Sequence, residues 1–200
     1  MSTDPFRGPH RRALLEATVA EFSAAGYDGA SLNRIIRAAG ISKSSFYHAI
    51  GSKAELLDAV VTSLVAEVRG RWTPPAPASL AGPGFWDRVE DMLDDLARLT
   101  AEDPALALLG RIIYLPGASA PDARTALLES LRAWVLGALE AGRSCGAIST
   151  DLPAPLQGAA AFGMLRGLDE RALGQDGAGE DDRDQLRRAP SLLLRRMLAP

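Results

Sequence analysis

The chain has 200 residues, enough for one large domain or two small ones to bury a core. It contains no run of about 18 apolar residues, and its polar N-terminus lacks the apolar segment of a secretory signal, so we expect neither a membrane span nor export. The single cysteine, Cys145, excludes an intramolecular disulfide and indicates a reducing compartment, so a cytoplasmic protein is expected. The formal net charge of −3 hides a weakly basic first third, since residues 1–70 carry eight Lys and Arg against seven Asp and Glu.

The first segment with helical spacing is residues 11–25, which Gly26 would end. The stripe of this helix that faces the core is predicted to contain Leu14, Leu15, Thr18, Val19 and Phe22.

Residues 31–58, SLNRIIRAAGISKSSFYHAIGSKAELLD, carry the signals of three short helices. Ser31 can cap the first helix, whose apolar residues recur at helical spacing up to Ala39. Gly40 can end that helix, because glycine adopts the positive φ that helix C-termini often need.

The second helix of this stretch is predicted from Lys43 to about Ile50, with Ser42 as its cap. The run Ser52-Lys53-Ala54-Glu55 is typical of a capping box, in which the glutamate reaches back to the amide of the serine, and it opens the third helix. Two short helices joined by a four-residue turn with glycine form the geometry that sets a helix into the major groove of DNA. The sequence therefore predicts a DNA-binding protein.

The remainder of the chain is also predicted to be helical. The third helix should extend to about Arg71, before the Pro- and Gly-rich segment 73–84. Helices follow at about 85–101, 104–115, 121–142 and 154–173, and a last one ends near Met197, where Pro190 either kinks it or marks its start. The sequence has no alternating strand pattern, repeat or metal-ligand cluster. The predicted class is all-α, with no cofactor and no metal.

Residues 11–60 resemble the N-terminal DNA-binding domain of the TetR/AcrR family of bacterial transcriptional regulators. The resemblance is carried in order by Phe22 with Gly26-Tyr27, by Ala38-Ala39-Gly40-Ile41-Ser42, by Phe46-Tyr47, and by Ser52-Lys53-Ala54-Glu55-Leu56-Leu57. The segment Cys145–Pro153 also looks like a connector found in the ligand-binding domains of this family.

The resemblance implies a helix-turn-helix domain at residues 1–55, with a flexible arm at 1–10, and a larger helical ligand-binding and dimerisation domain at 56–200. Members of the family are homodimers whose C-terminal domain binds a small molecule and controls affinity for operator DNA. We therefore expect a one-component repressor with a palindromic operator, a small-molecule effector and a second copy of the chain as partners.

The chain departs from the pattern of the family in three places. Ile50 replaces an aromatic residue, Ala49 replaces an aromatic residue or histidine, and Arg34-Ile35-Ile36 replaces Asp-Ile-Ala. The fold should tolerate these changes, but the bases that are read can differ.

The residues expected to contact DNA lie at helix starts and on the second short helix: Ser31, Ser42, Lys43, Ser44, Ser45, Tyr47, His48 and Lys53. Ser31 and Ser42 begin helices whose amides suit phosphate oxygens, and Lys53 can reach the same backbone. The tyrosine that matches Tyr47 in the family contacts phosphate. Lys43 best suits a guanine edge. The alternatives are that the serines only cap helices, that Tyr47 only packs, and that the lysines are ordinary solvated charges.

The N-terminal cations Arg7, Arg11 and Arg12 could enter the minor groove as an arm or simply keep a frayed terminus in solution.

The helix at 154–173 is predicted to have two different faces. Small residues on one face would let another helix approach closely, so we expect a four-helix dimer interface formed by Leu156, Ala160, Gly163, Gly167, Leu186, Leu193, Leu194 and Met197. The alternative is that these helices only pack within one protomer.

The opposite face is expected to line an apolar ligand pocket with a few polar groups. Its candidate residues are Trp86, Met92, Leu96, Leu109, Arg111, Ile113, Tyr114, Trp134, Phe162, Leu165, Arg166 and Asp169, each of which could instead be ordinary core or surface. Cys145 is expected to be inert.

Two other functions are alternatives to a ligand-responsive regulator. An enzyme is disfavoured because both histidines, His10 and His48, lie in the N-terminal region, which leaves the C-terminal part without histidine-based catalysis. A regulator without a small-molecule ligand stays open.

Overall fold

A computed structural model describes residues 9–115, 122–173 and 180–200. This part of the chain folds into nine α-helices and a short 3₁₀ helix, Pro77–Leu80, without a strand, which confirms the all-α class. The helices are α1 (Arg11–Gly29), α2 (Leu32–Ala38), α3 (Lys43–Ala49), α4 (Lys53–Arg69), α5 (Phe85–Glu102), α6 (Pro104–Ile113), α7 (Ala123–Ser144), α8 (Ala154–Leu173) and α9 (Glu180–Leu198). No helix in these ranges is both long and apolar enough to cross a membrane.

The chain forms two compact units. Met1–Trp72 and Pro104–Leu127 make up the first, and Thr73–Asp103 and Leu128–Pro200 make up the second. These are packing units, so the functional boundary between residues 55 and 56 stays a prediction.

The core of the first unit is built on α1 and α4. All five residues predicted for the stripe of α1 are buried: Leu14, Leu15, Thr18, Val19 and Phe22. Helix α1 breaks at the predicted residue, because Gly26 has φ +68°, and one further turn follows the break. Helix α6 adds Ala105, Leu109 and Ile112 to the same core.

The core of the second unit joins α5, α7, α8 and α9 around Phe85, Ile148 and Leu194. Two glycines allow this packing. A Cβ on Gly142 would lie 2.6 Å from Ile148 Cδ1, and one on Gly158 would lie 2.5 Å from Leu136 Cδ2. Two indole N–H groups in this unit donate to carbonyl oxygens, that of Trp86 to Ala147 and that of Trp134 to Pro75.

The ends of two C-terminal helices differ from the prediction. Helix α7 begins at Ala123 rather than 121, because the Asp122 carboxylate accepts a hydrogen bond from the Thr125 amide at 2.9 Å and so caps the helix. Helix α9 contains Pro190 within it, so of the two alternatives predicted for this residue, a kink or the start of the helix, the start is wrong.

Candidate DNA-binding surface

Helices α2 and α3 form a compact helix-turn-helix in the first unit. Gly40, at φ +66°, turns the chain between them, and the Ile41 amide donates to the Ile36 carbonyl at 3.2 Å. The side chains of Phe46 and Ile50 are 0% and 3% exposed, so α3 is anchored in the core at both its middle and its end. Ile50 fills this apolar position without an aromatic ring.

The opposite face of α3 is polar and open to solvent. All the contact residues predicted on α3 are exposed, namely Lys43, Ser44, Ser45, Tyr47 and His48. The exposed fraction of Tyr47 is 48%. The Tyr47 ring stands edge-on to the buried Phe46 ring, with 5.3 Å between centroids. The helix therefore presents its polar residues together from a fixed base.

The predicted cap of α3 is present. The Ser42 hydroxyl oxygen accepts from the Ser45 amide at 3.1 Å, and the same hydroxyl donates to Ser45 Oγ at 2.9 Å. Both serines therefore use side-chain atoms within the first turn of α3.

Ser31 behaves differently, and the expectation that its side chain caps α2 is wrong. Its amide instead donates to the Glu21 carboxylate at 2.8 Å. Arg34 also binds this carboxylate through Nε at 2.8 Å and donates through Nη2 to the Gly29 carbonyl at 3.0 Å. The hydrogen bonds from Arg34, with that from the Ser31 amide, outweigh burial and lower the pKa of Glu21. Arg34, a departure from the family pattern, thus joins α2 to α1.

The start of α4 also differs in detail from the predicted capping box. Ser52 accepts from the Glu55 amide at 3.1 Å, as expected, but the Glu55 carboxylate accepts from the Gly51 amide at 2.8 Å. The Lys53 ammonium, expected on DNA phosphate, donates to the carbonyls of Tyr27, Asp28 and Ala30. These contacts were not predictable from local sequence patterns, because the acceptors lie 23 to 26 residues earlier in the chain.

The cations before and within α1 have intramolecular partners where the structure describes them. Arg11 pairs with Glu67 at 2.8 Å, and Arg12 pairs with Glu16 at 2.6 Å. Arg7 lies outside the described residues, so the expected arm stays a prediction.

The residues predicted for the dimer interface lie on α8 and α9 in the second unit. Most of them are exposed: Leu156 at 55%, Leu193 at 39% and Met197 at 41%, together with Ala160, Gly163 and Gly167. Leu194 is 8% exposed and belongs to the core of its own unit. The side chain of Leu186 lies outside the described residues.

The residues predicted for the ligand pocket are divided between the two units. Leu109, Arg111, Ile113 and Tyr114 belong to the first, where Leu109 packs in the core. The second contains Trp86, Met92, Leu96, Trp134, Phe162, Leu165, Arg166 and Asp169. The Arg166 side chain pairs with Glu170 at 2.8 Å, and Arg132 stacks 4.9 Å from the centre of the Phe162 ring.

Of these candidates, Trp86 lines an open groove of about 430 Å³ in the second unit, together with Cys145 and Arg195. Cys145 is exposed, and the Gly82 backbone lowers the pKa of its thiol against the opposing effect of burial. The expectation that this thiol is inert stays a prediction. Within the described ranges, no group of three or more His, Cys, Asp or Glu side chains could hold a metal ion.

Comparisons with known proteins agree on one family. Residues 14–60 match the family model described as bacterial regulatory proteins, tetR family. No curated protein sequence matches the chain significantly.

Solved structures with the same fold include TetR-family transcription regulators. One from Chloroflexus aurantiacus superposes with a TM-score of 0.72 at 20% identity, covering 98% of this chain and 96% of that one. One from Marinobacter aquaeolei has a TM-score of 0.62 at 25% identity, covering 95% of each chain. NalD, the secondary repressor of the MexAB-OprM multidrug efflux pump in Pseudomonas aeruginosa, has a TM-score of 0.60 at 17% identity over 95% of each chain. The helix-turn-helix is therefore that of a TetR-family DNA-binding domain, on a chain with the fold of TetR-family transcription regulators.

Proposed function

We propose that this protein is a homodimeric, ligand-responsive repressor that binds a palindromic operator. The observation that carries the proposal is the exposed polar face of α3, which presents Lys43, Tyr47 and His48 from a helix anchored by the buried Phe46. A short helix with a rigid base and an exposed polar face is what major-groove recognition requires. Because bacterial DNA lies in the cytoplasm, the proposal also implies a cytoplasmic protein.

The proposed contacts divide into two kinds. Ser31, Ser42 and Tyr47 would bind phosphate oxygens, which fixes the register of the protein on the duplex without reading its sequence. Lys43, Ser44, Ser45 and His48 would reach base edges, with Lys43 on guanine O6 or N7. The net charge of residues 1–70 is only weakly positive, so each of these contacts should account for a large share of the affinity.

The proposed dimer is formed by the exposed apolar residues of α8 and α9. Gly163 and Gly167 leave open space on α8, so a second helix can approach its backbone closely. A twofold axis through this face would pair two copies of α3 with the two halves of a palindrome.

The proposed effector is a small molecule that binds the helical region after α4. It would favour a spacing of the two α3 helices that fits the operator poorly, and its effect is limited by the difference between its affinities for the two states. The alternative, a regulator without a ligand, is tested by thermal shift, since any ligand of the native state raises the unfolding temperature by mass action. A compound that stabilises the protein and releases the operator supports the proposal.

The proposal is of a regulator and not of an enzyme, and it is supported by a family model and structural neighbours that are described as transcription regulators. A DNA-binding regulatory function would also explain why the polar face of α3 is exposed.

The DNA-binding role is tested by selecting the bound sequence from random duplexes and measuring gel-shift affinity for it. Lys43→Ala and Tyr47→Ala should abolish binding while the dimer stays intact. Arg69→Ala, which removes an exposed cation from the far end of α4, is the matched control and should bind like the original protein. Unchanged affinity in both α3 variants would overturn the assignment of this helix to DNA.

A further inference from the structure

We propose that Lys53 is a positioning residue that closes the base of the helix-turn-helix and does not contact DNA phosphate. The proposal rests on the proposed function, because the part that Lys53 positions is the DNA-reading helix. Its role would be to hold the orientation of α3 against the rest of the first unit.

The contacts of the Lys53 ammonium match the number of its donors. Nζ lies 3.0 Å from the Tyr27 carbonyl oxygen, 2.8 Å from that of Asp28 and 3.0 Å from that of Ala30. An ammonium group has three N–H donors, so each of them has a protein acceptor here. The same nitrogen lies 5.5 Å from the centre of the Tyr27 ring, which adds an attractive cation–π contact.

The acceptors belong to the last turn of α1 and the residue after it, where helical carbonyls have no intrahelical partner. A cation is favoured at this end of a helix because the peptide dipoles place negative charge there. The carbonyl between them, that of Gly29, is bound by Arg34. Four consecutive carbonyls, from Tyr27 to Ala30, therefore accept hydrogen bonds from two cationic side chains.

The hydrogen bond from Lys53 to Ala30 matters because of where these two residues lie in the chain. Residues 31–52 contain α2, the turn and α3, and they leave the body of the unit at Ala30 and return at Lys53. The bond from Lys53 to Ala30 therefore joins the two ends of this segment. The buried Phe46 fixes α3 at its middle, and the bond at the base limits how the segment tilts about that anchor.

Lys43 offers a matched comparison, because these are the two lysines of the chain. Lys43 is exposed in the first turn of α3 and belongs to the face proposed to read DNA. A spectrum of lysine ammonium groups thus contains at most two signals, which the variants Lys43→Arg and Lys53→Arg assign.

The first test observes these ammonium groups by ¹H–¹⁵N NMR in the DNA-free protein at neutral pH. Lys53 should give a visible cross-peak, because three hydrogen bonds to protein slow the exchange of its protons with water, whereas the exposed Lys43 should be broadened by exchange. Addition of operator should leave the Lys53 signal in place and bring out that of Lys43. Equal broadening of both signals in the free protein, or a large shift of the Lys53 signal on DNA, would overturn the proposal.

The second test measures operator affinity against salt concentration. Lys53→Met keeps the apolar stem over Tyr27 and removes the donors, so affinity should fall about tenfold at every salt concentration. The slope of log K against log salt should stay that of the original protein, whereas loss of one phosphate contact lowers it by about 0.9.

The conservative variant separates the two roles. Lys53→Arg keeps the charge for a phosphate, but its planar fork cannot direct three donors from one atom at three carbonyls, so it should bind as weakly as Lys53→Met. A reduced slope in Lys53→Met together with full affinity in Lys53→Arg would show a phosphate contact and refute the proposal. If the original protein selects no DNA, the proposed function fails, and the ammonium spectrum still decides whether Lys53 closes the segment.

Discussion

At the scale of single residues, two adjacent aromatic side chains on α3 have opposite environments, one buried and one exposed. One is therefore expected to contribute to stability and the other to binding. Phe46 is fully buried, whereas Tyr47 exposes 48% of its surface and its hydroxyl is available to a partner. Substitutions at Phe46 should therefore lower stability, whereas removal of the Tyr47 hydroxyl should lower affinity for DNA.

We expect Tyr47→Phe to lower operator affinity by about ten- to a hundredfold, the value of one hydrogen bond to a charged phosphate. The unfolding midpoint should not change, because the ring and its contact with Phe46 are kept. Gel shift and urea denaturation measure the two quantities. Tyr27→Phe, which alters the half-buried tyrosine of the α1 turn, is the control with retained affinity. An unaltered affinity in Tyr47→Phe would mean that the hydroxyl does not touch DNA.

The Glu21 carboxylate links pH to the joint between α1 and α2. Its pKa is lowered in the folded state chiefly by the hydrogen bonds of Arg34. A lowered carboxyl pKa contributes stability that is present above the unfolded pKa and is lost as pH falls through the folded one. Unfolding midpoints measured from pH 7 downward should thus show an acid-side loss of stability that is smaller in Arg34→Gln. Parallel pH profiles for Arg34→Gln and the original protein would contradict this account.

Single residues also show where prediction from sequence ends. Ser42 and Ser52 were predictable as caps because the backbone amides that donate to their hydroxyl oxygens lie only three residues further along the chain. The bonds of Ser31 and Lys53 were not, because their partners lie ten or more residues away in the chain. The exposed surface of α3 was predictable because it follows from helical spacing, whereas any DNA contact made from it depends on a partner that the sequence does not contain.

At the scale of elements, the start of α7 is fixed by a small network within the first unit. Asp122 caps the helix through Thr125 and pairs with Arg124, whose side chain is 7% exposed. Arg124 also donates to the Leu115 carbonyl, and the Asp58 carboxylate of α4 accepts from the Ala123 amide at 2.7 Å. Burial alone would raise the pKa of Asp122, but the hydrogen bonds from Thr125 and Arg124 lower it. The network therefore ties the beginning of α7 to α4 and to the end of α6.

We expect Asp122→Ala to lower the free energy of unfolding by about 3 kcal/mol, because it leaves the buried Arg124 charge without its carboxylate and removes a helix cap. Asp122→Asn keeps an oxygen for the Thr125 amide and should lose less. Urea denaturation with an unchanged m-value measures the difference. Arg98→Ala, which breaks an exposed pair with Asp95, is the control and should change stability by less than about 1 kcal/mol. Equal losses in Asp122→Ala and Arg98→Ala would show that burial of the pair has no energetic weight.

The elements themselves were largely predictable, because a helix records its buried face in its own apolar spacing. The helix boundaries were less predictable, since the start of α7 depends on the cap at Asp122, and Pro190, a candidate for the start of α9, lies within that helix. Packing between elements was least predictable. Leu109, expected to line a ligand pocket, is in the core of the first unit, since amphipathic spacing shows that a residue is buried but not which helix buries it.

At the scale of the whole molecule, α8 and α9 have apolar side chains that packing within one copy of the chain leaves exposed. Leu156, Leu193 and Met197 each expose 39% or more of their surface. Burial of such side chains against a second copy of the chain would stabilise a dimer. Around a twofold axis, the same patch of each copy packs against that of the other.

We expect the double variant Leu156→Glu with Leu193→Glu to be a monomer at micromolar concentration in analytical ultracentrifugation, where the original protein is a dimer. Both side chains are exposed within the protomer, so its helical circular dichroism should be retained while charge repulsion separates the copies. The monomer should also bind a full palindrome with the affinity of a single half-site, because the second half-site no longer benefits from being on the same complex. Leu152→Glu, which places the same charge at an exposed leucine in the connector before α8, is the matched control and should remain dimeric. A double variant that stays dimeric would move the interface away from α8 and α9, and a monomeric original protein would remove the homodimer altogether.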